Sequence, residues 1–331
     1  MKTLILFGLS VLMSHALWAG GDMVNNGGGL SEKTILFTYK NLHKYIGLCL
    51  KAEGCKLTEK QKVLLEKIQA ALPEEQKNAN QLQFLSESKN PGTFIIDGEI
   101  KVAKTGSTVG SPIYVNTDML YQKNDAGVYA PTVLAEAVAI LIHELGHHHG
   151  DWNHLDLDLL GVKVSLLLNQ KIYTSPLLPW NQEVQMTVIN YNIENTFPDV
   201  LLTLGNDLVD VSAQYQETVQ CPKFTIPIPV LPIPDISAIW KTAKSSMLHN
   251  LHWVKFKKEK EADRAKLEIE GNITKKCQDK NVFYLNTNHQ LSITFEIAKE
   301  NGQWKLTPDT LKMKQMTNPW WKIIRLPGSG D

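Results

Sequence analysis

The chain has 331 residues, with 34 basic and 34 acidic side chains and a formal net charge of zero. It is 43% hydrophobic and 21% charged, close to ordinary globular usage. These values exclude a disordered chain, a collagen, a disulfide-dense miniprotein and a multi-span membrane protein. They also give no electrostatic reason to expect nucleic acid or an anionic membrane as partner. A chain of this size makes one large domain or two. Its ten histidines are unevenly spread, five of them lying between 143 and 154.

The N-terminus has the pattern of a secretory signal over residues 1–19. Lys2 precedes an apolar run at 4–13, and small residues follow, with cleavage expected after Ala19 or Ala16. The run is too short for a membrane anchor, which needs about 20 apolar residues. Cleavage removes Lys2, and 33 basic minus 34 acidic side chains leaves a mature charge of −1. Secreted or periplasmic placement permits disulfides. Cys49 and Cys55 are close enough for a local staple, and Cys221 and Cys277 would then close a loop across the C-terminal half. Four cysteines allow three pairings, and spacing does not choose among them.

The glycine-rich residues 20–30 are not followed by phosphate-loop chemistry. From 32 to 72 the pattern is helical. Leu36, Tyr39, Leu42, Ile46 and Leu50 recur at helical spacing. Thr58 and Gln61 suit a capping box ahead of Val63, Leu64, Ile68 and Leu72. Residues 93–96, 99–103 and 113–115 are short strand-like runs punctuated by glycines. The stretch 131–149 predicts a buried helix with Pro131 in its first turn. A second helix is expected over 155–169, and Val184, Met186 and Val188 alternate as in a strand. Four prolines between 225 and 236 predict an extended connector. A short amphipathic helix is expected at 237–250. Beyond it, Leu267 and Ile269, then Leu291, Ile293, Phe295 and Ile297, alternate with polar residues. Asn301-Gly302 is a hairpin turn leading into Trp304 and Leu306. The expected fold is α+β, with a first domain over 20–224 and a smaller β-rich module over 237–331.

The chemistry lies at His143-Glu144-Leu145-Gly146-His147, an HExxH motif. Two histidines at i and i+4 share a helical face, so both imidazoles can reach one Zn²⁺ at about 2.0–2.1 Å. Glu144 stands beside them as general base and acid. At these residues the chain resembles the zincin metalloproteases. The resemblance implies a zinc cofactor and hydrolysis of a peptide or protein substrate by metal-activated water. It also implies a mixed sheet before the motif helix, with residues 113–120 as the edge strand that binds substrate.

The third ligand is open between two residues. Metzincins read HExxHxxGxxH; Gly150 matches their glycine, but Asn153 stands at the ligand position and His154 is one residue late. Aspzincins use a later aspartate. Asp158 has a similar spacing, although their GTxD signature is absent. In a helix, His154 and Asp158 share a face, so one can ligate while the other orients it; the sequence slightly favours Asp158 as ligand. Glu183, Glu194 and Glu217 lack the helical setting of a gluzincin ligand. Met186 is a methionine-turn candidate only by being downstream. His148 and His149 are expected off the ligand face, solvated or supporting the ligands, and His43, His249, His252 and His289 are expected to be structural. No GxSxG elbow is present. The rival expectations are a zincin-like protein with a structural metal, closed by both His154 and Asp158, and an exported adhesion or scaffold protein working through its β-rich module.

Overall fold

The computed structural model describes residues 29–123, 127, 129–150, 152–191, 196–221, 241–257, 263–279 and 282–317. The expected signal segment 1–19, the expected proline connector 225–236 and the part of the expected β-rich module beyond 317 lie outside the described residues. The fold is α+β, as expected, with five α-helices among the described residues.

Helices α1 (Leu30–Lys51) and α2 (Glu59–Glu75) form the first layer. The buried stripe of α1 is Ile35, Leu42, Tyr45, Ile46 and Cys49, whereas Leu36 faces solvent. The stripe is thus turned slightly from the expected one, with Ile35 and Tyr45 inside it and Leu36 outside. The disulfide Cys49–Cys55 ties the end of α1 to the turn that leads into α2. The capping box forms as expected, with the Gln61 N–H donating to Thr58 Oγ1 and the Thr58 N–H to Gln61 Oε1, both at 3.2 Å.

A three-stranded mixed sheet follows. Ile113–Asn116 lies at its centre, parallel to Leu82–Leu85 and antiparallel to Ala103–Lys104. This corrects the expectation that 113–120 supplies the edge. Ile113 and Val115 are fully buried, which suits a central strand, and the edge beside the motif helix is Ala103–Lys104. Pro131 also departs from expectation: it ends a strand, Tyr129–Pro131, and helix α3 (Leu134–His147) begins after it. The Val133 N–H donates to Glu136 Oε2 at 3.1 Å, satisfying a donor at the helix start.

Helix α4 (His154–Asn169) starts at Asn153, whose Oδ1 accepts from the Asp156 N–H at 2.8 Å. It runs antiparallel to α3 at close range. Gly146 lies against Leu157, and Gly161 lies against the backbone of Ala139. A Cβ at Gly161 would meet Ala139 O at 2.7 Å, a contact that no side-chain rotation relieves. Gly161→Val is therefore expected to destabilise the fold by about 1–3 kcal/mol and to push α4 off α3. Thermal melts should show the first effect. A zinc titration should show the second as weaker binding, since both candidate third ligands, His154 and Asp158, move with α4.

An antiparallel meander (Ile172–Thr174, Val184–Ile189, Asp199–Leu204, Asp207–Asp210) separates two apolar cores. Strand alternation gives each core one face. Ile189 and Leu201 belong to the helical core, while Val184, Met186, Val188, Val200 and Leu202 pack with the C-terminal sheet. Lys33–Asp207 at 2.8 Å and Lys44–Asp199 at 2.7 Å link α1 to the meander. The described residues of 172–221, α5 (Ser212–Thr218) included, are placed in the first domain by the sequence but contribute much of the second core.

The C-terminal sheet contains Ser245–Lys255, Arg264–Asp279, Val282–Glu300 and Gln303–Leu306, with Lys312–Thr317 also paired to Val282–Glu300. Leu267, Ile269, Leu291, Ile293, Phe295 and Ile297 are buried as their alternation predicts. Asn301 and Gly302 both take positive φ, 51° and 83°, as a tight hairpin turn requires. Disulfide Cys221–Cys277 joins the segment after α5 to this sheet. The expected helix at 237–250 is corrected within its described part: Lys241–Thr242 and Ser245–Lys255 are strands. Pairing with Arg264–Asp279 buries Ser245, Ser246 and Leu248 and overrides the local helical spacing.

Candidate metal centre

The α3–α4 hairpin brings three histidines together. His143 and His147 project from one face of α3, one turn apart, and His154 is the first residue of α4. His143 Nε2 lies 3.1 Å from His154 Nδ1 and 3.2 Å from His147 Nε2. One ring nitrogen from each residue falls within 4.8 Å of the others, a group that could hold a metal ion.

Asp158, four residues along α4, stands outside this group. Its Oδ1 is 2.7 Å from His143 Nδ1. A carboxylate only accepts, so Nδ1 donates its N–H to Asp158 and Nε2 presents its lone pair to the other two rings. Of the two residues that the sequence leaves open, His154 contributes a ring nitrogen to the group and Asp158 contributes no oxygen to it. His154 faces the group, and Asp158 orients His143 in the manner of a carboxylate–histidine–metal relay.

Burial lowers the pKa of His143 against the opposing charge and hydrogen bond of Asp158. His147 is lowered to about 4, first by burial and then by the neighbouring imidazoles. His143 and His147 are thus neutral near pH 7, and the His143–Asp158 contact is a hydrogen bond from a neutral ring, not an ion pair. Neutral imidazoles are the form that binds metals. A tetrahedral zinc with bonds of about 2.05 Å places its ligand atoms about 3.3 Å apart; the 3.1 and 3.2 Å separations here are close to that edge. The donor set fits zinc.

Glu144 follows His143 on α3 and is buried. Burial, then the charge of Asp158, pushes its pKa up to about 8. The other expected candidates lie elsewhere. Met186 is buried in the second core, Glu183 precedes the strand Val184–Ile189, and Glu217 is on α5. Glu194 lies outside the described residues.

His148 departs from the solvated alternative. It is buried, with Nε2 2.8 Å from Thr105 Oγ1 and Nδ1 3.1 Å from Glu75 Oε1. Glu75 is also buried at the end of α2, where Gln81 Nε2 donates to it at 3.4 Å. This network fastens the C-terminal turn of α3, which carries His147, to α2 and to Thr105, the residue after the edge strand. Trp152 packs partly against the helical core under Lys60, whose Nζ sits 4.3 Å from the ring centroid. Lys101 also reaches the site, its charge acting on His143 and Asp158.

No family model, curated protein or solved structure matches the chain. The reading of the site therefore rests on its own geometry and on the motif.

Proposed function

We propose that the chain is an exported zinc-dependent peptidase, with His143, His147 and His154 as ligands and Glu144 as general base and acid. The observation that carries this is the convergence of one ring nitrogen from each of three histidines, all within 4.8 Å of one another, beside a buried glutamate. Three protein ligands with one open position are the catalytic form of a zinc site, whereas structural sites are closed by four. Asp158 is turned to the outer nitrogen of His143, so it does not close the site.

Zinc bound there supplies Lewis acidity, acidifying water and polarising a peptide carbonyl. The remaining steps belong to the protein. Asp158 holds His143 in the tautomer that offers Nε2 inward. Glu144 takes a proton from the attacking water as the C–O bond forms and delivers it to the departing amine as the C–N bond breaks. The edge Ala103–Lys104 is where an extended substrate backbone can pair.

Two disulfides support export. Among the described residues no helix is long and apolar enough to cross a membrane. Metal analysis with a cleavage assay tests the function. The expected result is one zinc per chain and cleavage of a mixed peptide library that stops with chelator and returns with zinc. Retained zinc with no cleavage would make the protein a non-catalytic metal binder. Absence of zinc from chelator-free preparations would remove the metal centre altogether.

A further inference from the structure

Helix α4 is apolar on two opposite faces. Leu157, Leu160, Val164 and Leu168 are buried in the helical core. At about 100° per residue, Leu155, Leu159, Val162 and Leu166 fall roughly 170° away from them. All four are exposed, Leu155 at 67% and Leu166 at 59%. They make a stripe about 16 Å long. His154 and Asp158 occupy the sector beside it, so the stripe begins at the rim of the three-histidine group. A second exposed aliphatic group, Ile95, Ile96 and Ile100, sits on the hairpin of Ile95–Ile96 and Glu99–Ile100. That hairpin leads directly into Lys101, whose charge acts on His143 and Asp158. Single exposed leucines are ordinary, but contiguous ones at the rim of a chemical site mark a binding surface.

We propose that the site takes extended polypeptide segments with large aliphatic side chains, which lie along Leu155, Leu159, Val162 and Leu166; this substrate class rests on the peptidase reading above. Continuity with the histidines selects this occupant. A chain that reaches them passes the first turn of α4, where Leu155 and Leu159 flank His154 and Asp158. A bilayer or a second copy resting on the stripe would instead press against Asp156 and Asp158 and desolvate their carboxylates. An extended peptide contacts the leucines while leaving those carboxylates in water.

The test uses two fluorescent decapeptides of equal length and charge, one with Leu and Ile at alternate positions, the other with Ser and Gln there. Binding is measured by anisotropy on zinc-loaded Glu144→Gln protein, and cleavage on zinc-loaded native protein. The aliphatic peptide is expected to bind about tenfold tighter. That margin should vanish when Leu155, Leu159 and Leu166 are all replaced by Asn, with zinc stoichiometry unchanged. Equal binding of the two peptides, or an undiminished margin in the triple variant, overturns the inference and leaves peptide hydrolysis standing. Selective binding without cleavage of either peptide keeps the surface and counts against hydrolysis. A dimer in sedimentation, or adsorption to phosphatidylcholine vesicles, that the triple variant abolishes assigns the stripe to that occupant and overturns the substrate class.

Discussion

Replacing His154 by alanine is expected to weaken zinc binding by several kcal/mol, on the order of a thousandfold or more, because it removes one of the three proposed ligands. Asp158→Asn should weaken it by only about 10–100-fold. The asymmetry follows from the two nitrogens of His143. Nε2 points to His154 and His147, while Nδ1 points to Asp158 at 2.7 Å. Removing His154 takes away an electron pair directed into the group. Removing the charge of Asp158 leaves all three donors in place but loosens the tautomer and orientation of one. Competition titrations against a chelator of known affinity would measure both. Equal losses would mean that Asp158 also touches the metal. A larger loss for Asp158→Asn than for His154→Ala would reverse the assignment.

The sequence could not make that choice, and the reason is physical. His154 and Asp158 are four residues apart and share a face of α4 under any helical reading. What separates them is the height of α4 along α3, set by Gly146 against Leu157 and Gly161 against Ala139. Those contacts are long-range and have no local signature. The His148–Glu75 pair is the same kind of case: its partners are 73 residues apart, and a buried glutamate at the end of α2 looks like any solvated helix terminus until α3 packs on it. Features that depend on neighbours in sequence were legible. The motif's i, i+4 spacing, the Thr58–Gln61 box, the alternation of Leu291 to Ile297 and the Asn301-Gly302 turn all carry their own geometry. The expected helix at 237–250 shows the opposite limit. Its local spacing suited a helix, but pairing with Gln220–Cys221 and with Arg264–Asp279 made strands of Lys241–Thr242 and of the residues from Ser245 on. The meander's double role was equally hidden, because alternation says that Leu201 opposes Val200 and Leu202 without saying that each face meets a different core.

Glu144→Gln is expected to abolish peptide cleavage while zinc stays bound, a loss of about 10²–10⁴ in rate if the residue carries the proton. The same substitution has a second signature that needs no substrate. In the metal-free protein, burial raises the Glu144 pKa to about 8, well above the usual carboxylate range. A carboxyl whose folded pKa lies above its unfolded value contributes stability that is complete below the unfolded pKa. That contribution is lost as pH rises towards the folded pKa, because the unfolded chain releases the proton first. Native metal-free protein should therefore lose stability relative to Glu144→Gln between about pH 4.5 and 8, at no more than about 1.4 kcal/mol per pH unit. His147, lowered to about 4, works in the other direction, losing stability as pH falls from about 6.5 towards 4. It is present in both proteins, so the difference between them isolates Glu144. Zinc brings a divalent cation close to the carboxylate and favours its charged form, so saturating metal should flatten the pH-dependent difference. Denaturant melts of both proteins across this range, with and without zinc, would show it. A difference independent of pH in the metal-free state would mean that Glu144 is ionised and solvated, and unsuited to hold a proton between water and amine.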